Sequence, residues 1–248
     1  MLTFNWIKQR ISKNLIYYHN GEEIKKADID TYLESLIKPN KKCEIKRTLF
    51  TDLTLSEEEL MEKIDKGCKY EIRRAENKDE LTIKYYTAEN MTDEISKQFV
   101  DFYNSFTKNK GLDGACDENL LNRAKQDGKL TLSFVYQNDV LLVAHAYLVG
   151  DKECRLWYSC SSYRNSDNQF RSLVGRANRN LHWKDICHFK GRGLSIYDWG
   201  GISDREEIKN ITAFKKEFGG EEKTLYNYRV ANTFKGKVYL FLLKVLRK

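Results

Sequence analysis

Proline is almost missing from this chain: Pro39 stands alone among 248 residues. With no low-complexity run either, a Pro-rich linker or extended spacer is excluded. The six cysteines (Cys43, Cys68, Cys116, Cys154, Cys160 and Cys187) are scattered, and no Cys-x-x-Cys pair occurs. That pattern argues against a zinc site or a disulfide framework and for reduced, mostly buried thiols. No metal site is expected. The opening MLTFNWIKQRISK carries charge where a secretion signal needs an apolar core. The longest apolar run near the other end, VYLFLL at 238–243, falls far short of the ~20 residues that span a bilayer. The expected location is the cytoplasm, or the inner face of the cell membrane.

What is present is a globular composition. Hydrophobic residues make up 41% and aromatics 12%, enough for a sizeable core. Lys and Arg number 43 against 36 Asp and Glu, a net charge of +7. This surplus suits an anionic partner such as a CoA phosphate, tRNA or an anionic membrane, and it suits plain solubility as well. Lys-, Ile- and Asn-rich usage points to an AT-rich bacterial genome.

Residues 1–47 hold a strand-like NLIYYH, a helix-like ADIDTYLESLI and a loop at Pro39–Lys42. CEIKRTLFTDLTL then alternates as a half-buried strand does. SEEELMEKIDKGCKYEIRRAEN reads as one basic-ended helix, with Ser56 and Glu59 spaced as a capping box. The charged AENKDE marks a boundary, giving an N-terminal subdomain at 1–79 and a main domain at 80–248.

From residue 80 the order is regular: LTIKYYT (strand), TDEISKQFVDFYNSFTKNKG and DENLLNRAKQDGK (helices), then LTLSFVY, VLLVAHAYLV and CRLWYSCS (strands). A helix over roughly 167–190, the strand LSIYDW, a helix in SDREEIKNITAFKKEFGG with Ser203 and Glu206 as a second capping box, and the strand TLYNYRVA complete it. The order β-α-α-β-β-β-α-β-α-β predicts a mixed α/β sheet covered by helices.

This order is similar to that of the GNAT acyltransferases. Three stretches resemble the Fem-type peptidoglycan-bridge aminoacyltransferases and their acyl-CoA-dependent relatives: TLFTDLTLSEEELMEKIDKGCKYEIRRAEN, LHWKDICHFKGRGLSIYDWGGI and ITAFKKEFGGE. The resemblance covers about 48–231, and 1–79 would be a reduced first GNAT-like half. It implies a GNAT-like fold and acyl transfer to an amine of a sugar or of a lipid-linked envelope precursor. The long helical hairpin of tRNA-dependent members has no counterpart, so acyl-CoA is the expected donor. Aminoacyl transfer from aminoacyl-tRNA to a peptidoglycan-type precursor, and a non-catalytic GNAT-like module binding an envelope glycan or tRNA, are the alternatives.

Acyl transfer needs a neutral amine, a donor for the tetrahedral oxyanion and a cradle for donor phosphates. The segment YRNSDNQFRSLVGRANR enters a helix with Arg164, Arg171, Arg176 and Arg179, which would meet those phosphates. Gln169, Gly175 and Ala177 loosely echo the GNAT Gln/Arg-x-x-Gly-x-Gly/Ala signature, with the glycine further along than that signature requires. A solvated basic face is the alternative for this segment.

Asp198, at the end of LSIYDW, reads as a base or amine-orienting group, or as a carboxylate accepting turn N–H groups at Gly200-Gly201. His182 and His145 read as bases or as packed, hydrogen-bonded core histidines. Tyr158, Tyr163, Trp199, Tyr226 and Tyr228 would shape the acceptor pocket or fill the core. Cys160 as an acyl-carrying nucleophile is disfavoured, because GNAT-like transfer is direct. The basic, acid-free segment 234–248 would lie on an anionic membrane face or pack on the core.

Overall fold

The computed structural model describes residues 1–112, 114–162 and 167–246; Tyr163, Arg164, Arg247 and Lys248 lie outside the described residues. In chain order the elements are β1 (Leu2–Lys8), β2 (Ile11–Tyr17), β3 (Ile29–Ser35), β4 (Glu44–Asp52), α1 (Glu57–Lys63), α2 (Lys66–Lys78), β5 (Thr82–Tyr86), α3 (Asp93–Lys110) and α4 (Glu118–Gln126). They continue with β6 (Leu130–Gln137), β7 (Val140–Val149), β8 (Glu153–Ser161), α5 (Asn168–Gly191), β9 (Ile196–Ile202), α6 (Lys209–Lys216), β10 (Glu221–Ala231) and α7 (Phe234–Leu246).

Packing divides the chain into two compact units: Met1–Thr48 with Glu222–Lys248, and Leu49–Glu221. The boundary expected at 79/80 is not a seam. Helix α2 sends Cys68 and Ile72 into the same core as Trp183 and Ile186 of α5, and Asp79 is ion-paired to Arg176. The charged stretch that looks like a linker is the end of α2, with Ala75 and Asp79 buried in the second unit and its other residues exposed.

In the first unit β1 pairs antiparallel with β2, β2 parallel with β3, and β3 antiparallel with β10. ADIDTYLESLI is therefore strand β3, not a helix. With a neighbour on either edge, Ile29–Tyr32 is stitched to both β2 and β10, which overrides local helix preference. Helix α7 is pinned here by its first turn. Thr233 Oγ1 donates to Asp28 Oδ1 at 2.6 Å and accepts from Gly236 N–H, while Gly236 sits against the Asp28 carbonyl where no side chain fits.

In the second unit β5, β6, β7 and β8 form an antiparallel meander, and β9 joins β8 in parallel after the α5 crossover. This is the expected mixed α/β order. The predicted basic helix is two helices: Ser56 and Glu59 cap α1 reciprocally, and Asp65 starts α2 by accepting from Gly67 N–H at 2.8 Å. The second expected capping box does not form. Ser203 is instead tied to Thr212, whose hydroxyl donates to its carbonyl and accepts its N–H, and α6 begins only at Lys209. The Phe-Gly-Gly motif has a packing cause. A Cβ at Gly220, which has φ +101°, would stand 2.8 Å from the Phe50 carbonyl oxygen.

Candidate active site

Two neighbouring features of the second unit stand out: a fork between β8 and β9, and a polar cluster beneath α5. At the fork the parallel ladder runs only from Glu153↔Ile196 to Arg155↔Asp198, although both strands continue. Past that point β9 supplies no registered partner to the backbone of β8. On the other edge of β8 the register slips: Ala146 faces Tyr158 while Tyr147 faces Leu156. Trp157 is thus the extra residue of a β-bulge, a device that bends a strand and frees backbone groups. Gly200, with φ +70°, lies so close to β8 that a Cβ would stand 2.9 Å from the Leu156 carbonyl oxygen. Without a side chain, Gly200 lets β9 lie against β8 just beyond the last registered pair, where the ladder has already ended.

The cluster is assembled by two periodicities. On the sheet, Tyr85, Ser133 and His145 are successive register partners across β5, β6 and β7, so they share a face. On α5, Asn178, His182 and Asp185 recur at i, i+4 and i+7 and turn inward onto that face. Asp185 Oδ2 accepts from Ser133 Oγ at 3.0 Å and from Tyr147 OH at 2.6 Å, and lies 2.8 Å from His145 Nδ1. His145 Nε2 is 3.0 Å from Asn178 Oδ1. Tyr147 OH is 2.8 Å from Tyr197 OH, which is 3.2 Å from His182 Nδ1. The result is a continuous polar chain from His182 to Asp185 inside the core.

Burial sets the electrostatics. It pushes the Tyr147 and Tyr197 hydroxyls well above the usual tyrosine range, with Asp185 adding to both shifts. It also holds His182 well below its usual value, with His145 adding to the effect, so the imidazole is neutral. His145, His182 and Asp185 are the one trio among the described residues whose ligand atoms approach metal-site spacing. Their arrangement is poor for coordination. The two imidazole rings stack at 4.1 Å, whereas in-plane lone pairs must converge on a metal ion.

A cleft of about 570 Å³ runs along α2, β5 and α5, lined by Glu76, Tyr85, Asn180, Lys184 and His188 among others. Asn180 Nδ2 and His188 Nε2 are buried without hydrogen-bond partners. Deeper in, the Tyr85 hydroxyl faces Asp185, its pKa raised by burial and then by that carboxylate. Unpaired buried polar atoms are uncommon, and two at one place mark a site rather than a core. Tyr85 and His188 stack at 3.9 Å, and Lys184 pairs with Glu76 at 2.6 Å.

The structure brings together only some of the residues singled out in the sequence. His145 and His182 stack, but Asp198 does not join them. Strand alternation puts Tyr197 and Trp199 on the α5 side of β9, so Asp198 projects from the other face, where its Oδ1 accepts the Gly200 N–H at 2.8 Å. All three lie inside the protein, at 1% exposure or less. Trp199 is likewise core, its indole N–H donating to Thr51 Oγ1, and it presents no surface to a substrate. Tyr158 stays partly exposed and accepts the Asp117 N–H at the start of α4. Tyr226 belongs to the first unit.

Two of the expected phosphate-binding arginines are already engaged. Arg176 makes a two-point ion pair with Asp79, and Arg179 does so with Glu217. Gln169 and Arg171 are exposed in the first turn of α5, and Gly175 lies one turn further on, half-buried. Cys160 is buried, its thiol donates to the Ala144 carbonyl, and burial pushes it far from the thiolate form, which argues against a nucleophile. Sequence reading missed Tyr85, Ser133, Asn180 and His188. The available signal was the polar spacing along the inner face of α5.

No protein-family model and no curated protein sequence matches the chain. Solved structures do. The crystal structure of FemX matches with a TM-score of 0.60 at 15% identity, covering 86% of this chain and 68% of that one. The C-terminal domain of a putative lysylphosphatidylglycerol synthetase from Agrobacterium fabrum also reaches 0.60, at 12% identity, over 98% and 85%. L-PGS from Bacillus licheniformis reaches 0.50 at 11% identity, over 80% and 65%. At such identities the likeness is one of fold: the chain shares the fold of FemX and of the C-terminal domain of that putative synthetase.

Proposed function

We propose that this chain is an acyltransferase that moves an acyl group from acyl-CoA to an amine of a sugar or cell-envelope precursor. The observation that carries the reading is the fork, with its three-residue ladder and the bulge at Trp157. A neutral amine attacks the thioester carbonyl carbon. The oxyanion of the tetrahedral intermediate takes hydrogen bonds from β8 backbone N–H groups that β9 does not use. The C–S bond breaks, the sulfur leaves as thiolate, and the proton lost by the amine balances it as free thiol. Gln169 and Arg171 at the start of α5 are the groups for the donor phosphates. The buried His145–Asp185–Tyr147–Tyr197–His182 chain touches no substrate; its part is to hold β7, β9 and α5 in place around the fork.

A second reading has a specific support. One structural neighbour is named as a synthetase of lysylphosphatidylglycerol, and Arg176 and Arg179 are spent on internal carboxylates. Both observations favour an aminoacyl ester donor such as aminoacyl-tRNA.

Label transfer decides. The chain is incubated with radiolabelled acetyl-CoA or with charged tRNA, each with amino-sugar and lipid acceptors. Labelled amide with stoichiometric free thiol supports the first reading. Transfer from tRNA alone moves the assignment to the second. Saturable donor or glycan binding with no transfer makes the chain a non-catalytic binding module.

A further inference from the structure

Charge is not spread evenly over the molecule. The first unit carries 17 Lys and Arg against 7 Asp and Glu, a net +10, while the whole chain is only +7, so the second unit is −3. The most exposed apolar surface sits in the same unit. On α7, Phe234, Val238, Phe241, Leu242 and Val245 follow i, i+4, i+7, i+8 and i+11 spacing, and all are exposed. Phe234 and Leu246 are each 80% exposed. The opposite face, with Gly236, Tyr239, Leu240 and Leu243, is less exposed. Lys237 and Lys244 border the apolar stripe on one side and Lys235 on the other, and the helix has no acid.

A second element adds to this face. Lys13 of β2 reaches α7, its Nζ donating to Tyr239 OH at 2.7 Å. Trp6 is the register partner of Lys13, so it projects from the same side of the sheet as α7, and Lys8 two residues on does too. Trp6 is 37% exposed. An apolar stripe, a neighbouring tryptophan and a basic rim, of which Lys235 also lies 3.8 Å from Asp28, are what binding in the plane of a bilayer requires.

We infer that this face, α7 with Trp6 and Lys8, docks the protein on a membrane of anionic phospholipid. Among the described residues no helix is long and apolar enough to cross a bilayer, so α7 would lie along the surface. A second copy is a poor occupant, because it would bring another +10 unit against this one. Nucleic acid would meet the lysines but leaves an aliphatic and phenyl stripe with nothing to bury against. The inference holds whatever the fork transfers: a chain inactive with every donor yet captured by vesicles keeps it and loses only the acyltransferase reading.

The test is co-sedimentation of the full chain with vesicles of phosphatidylcholine alone or mixed with phosphatidylglycerol. The mixed vesicles capture the chain at a lipid concentration at least ~10-fold lower, and about 1 M NaCl, where the screening length is ~3 Å, abolishes that advantage. Phe241→Glu with Val245→Glu, both at exposed sites, weakens capture at least ~10-fold with an unchanged circular dichroism spectrum. Equal capture by both vesicle types, no capture by either, or undiminished capture of the double variant overturns the inference. So does a Lys237→Ala, Lys244→Ala variant that loses tRNA binding but not vesicle binding. A dimer that the double Glu variant dissociates while vesicle capture persists overturns it as well.

Discussion

Arg176 holds Asp79 at two points, Nε to Oδ2 at 2.6 Å and Nη2 to Oδ1 at 2.8 Å, across 97 residues of chain. Both side chains are about nine-tenths buried. Removing one partner strands a charge in low dielectric, so Asp79→Asn is expected to cost about 3–5 kcal/mol in urea unfolding. Arg176→Met with Asp79→Leu recovers much of that loss. Glu217→Gln, which breaks the more exposed pair with Arg179, costs under about 1 kcal/mol. Equal losses for the two acids would contradict this account.

The fork depends on Gly200. Alanine there combines a φ of +70° with a Cβ 2.9 Å from the Leu156 carbonyl oxygen. Gly200→Ala is expected to lower stability by about 1–3 kcal/mol. Any transfer activity should fall further than the lost folded fraction explains, because β9 is pushed from β8. A thermal melt beside the activity assay separates the two effects.

The polar cluster makes stability depend on pH. His182 in the folded protein titrates well below the 6.5 of an unfolded histidine, because burial disfavours its charge. Between those values the unfolded chain binds the extra proton, so acid favours unfolding. Stability is fully present above pH 6.5 and falls as pH drops below it, by about 1.4 kcal/mol per pH unit for this one group. His188, also lowered by burial, acts in the same direction. Urea midpoints at descending pH should show the fall, and His182→Gln should flatten it. A variant as steep as the parent would mean that His182 is not the source.

Asp28 predicts a loss of the same sign, at lower pH, at the anchor of α7. Hydrogen bonds from Thr233 and from the Ser12 hydroxyl and N–H hold its carboxyl down at about 2. Its contribution is present above the ordinary carboxylate range near pH 4 and is lost as pH falls through about 2. Fluorescence of Trp6, beside α7, should stay native down to pH 4. Asp28→Asn should loosen α7 at neutral pH, seen as faster amide exchange at Gly236 and Lys237.

Donor affinity should divide the basic residues of α5. Arg171→Ala, at an exposed position, should weaken acyl-CoA binding several-fold by calorimetry without changing the melting temperature. Arg176→Ala should lower the melting temperature first. Unchanged affinity on losing Arg171 and Gln169 together would remove them from the donor site.

Much of the second unit was legible in the sequence. Strands such as VLLVAHAYLV and the long α5 are regular, and their periodicities survive into the structure. What was not legible depended on partners distant in the chain. ADIDTYLESLI has helix-like spacing until β2 and β10 close on either edge of it. Arg176 and Arg179 read as free cations because Asp79 and Glu217 lie far away in sequence. The two histidines were picked out by type, but their company was not. Tyr85, Ser133 and His145 share one face only through strand register, which no local pattern encodes.

Strand β3 takes one neighbour, β2, from nearby sequence and the other, β10, from beyond the entire second unit. As the chain elongates, residues 49–221 are all made before β3 can gain its second neighbour, β10, and before α7 exists. The first unit therefore closes last, by pairing segments almost 200 residues apart, a slow kind of contact. The basic, apolar face of α7 is assembled only at that final step, so the surface that would seek a membrane is withheld until the fold behind it is already made.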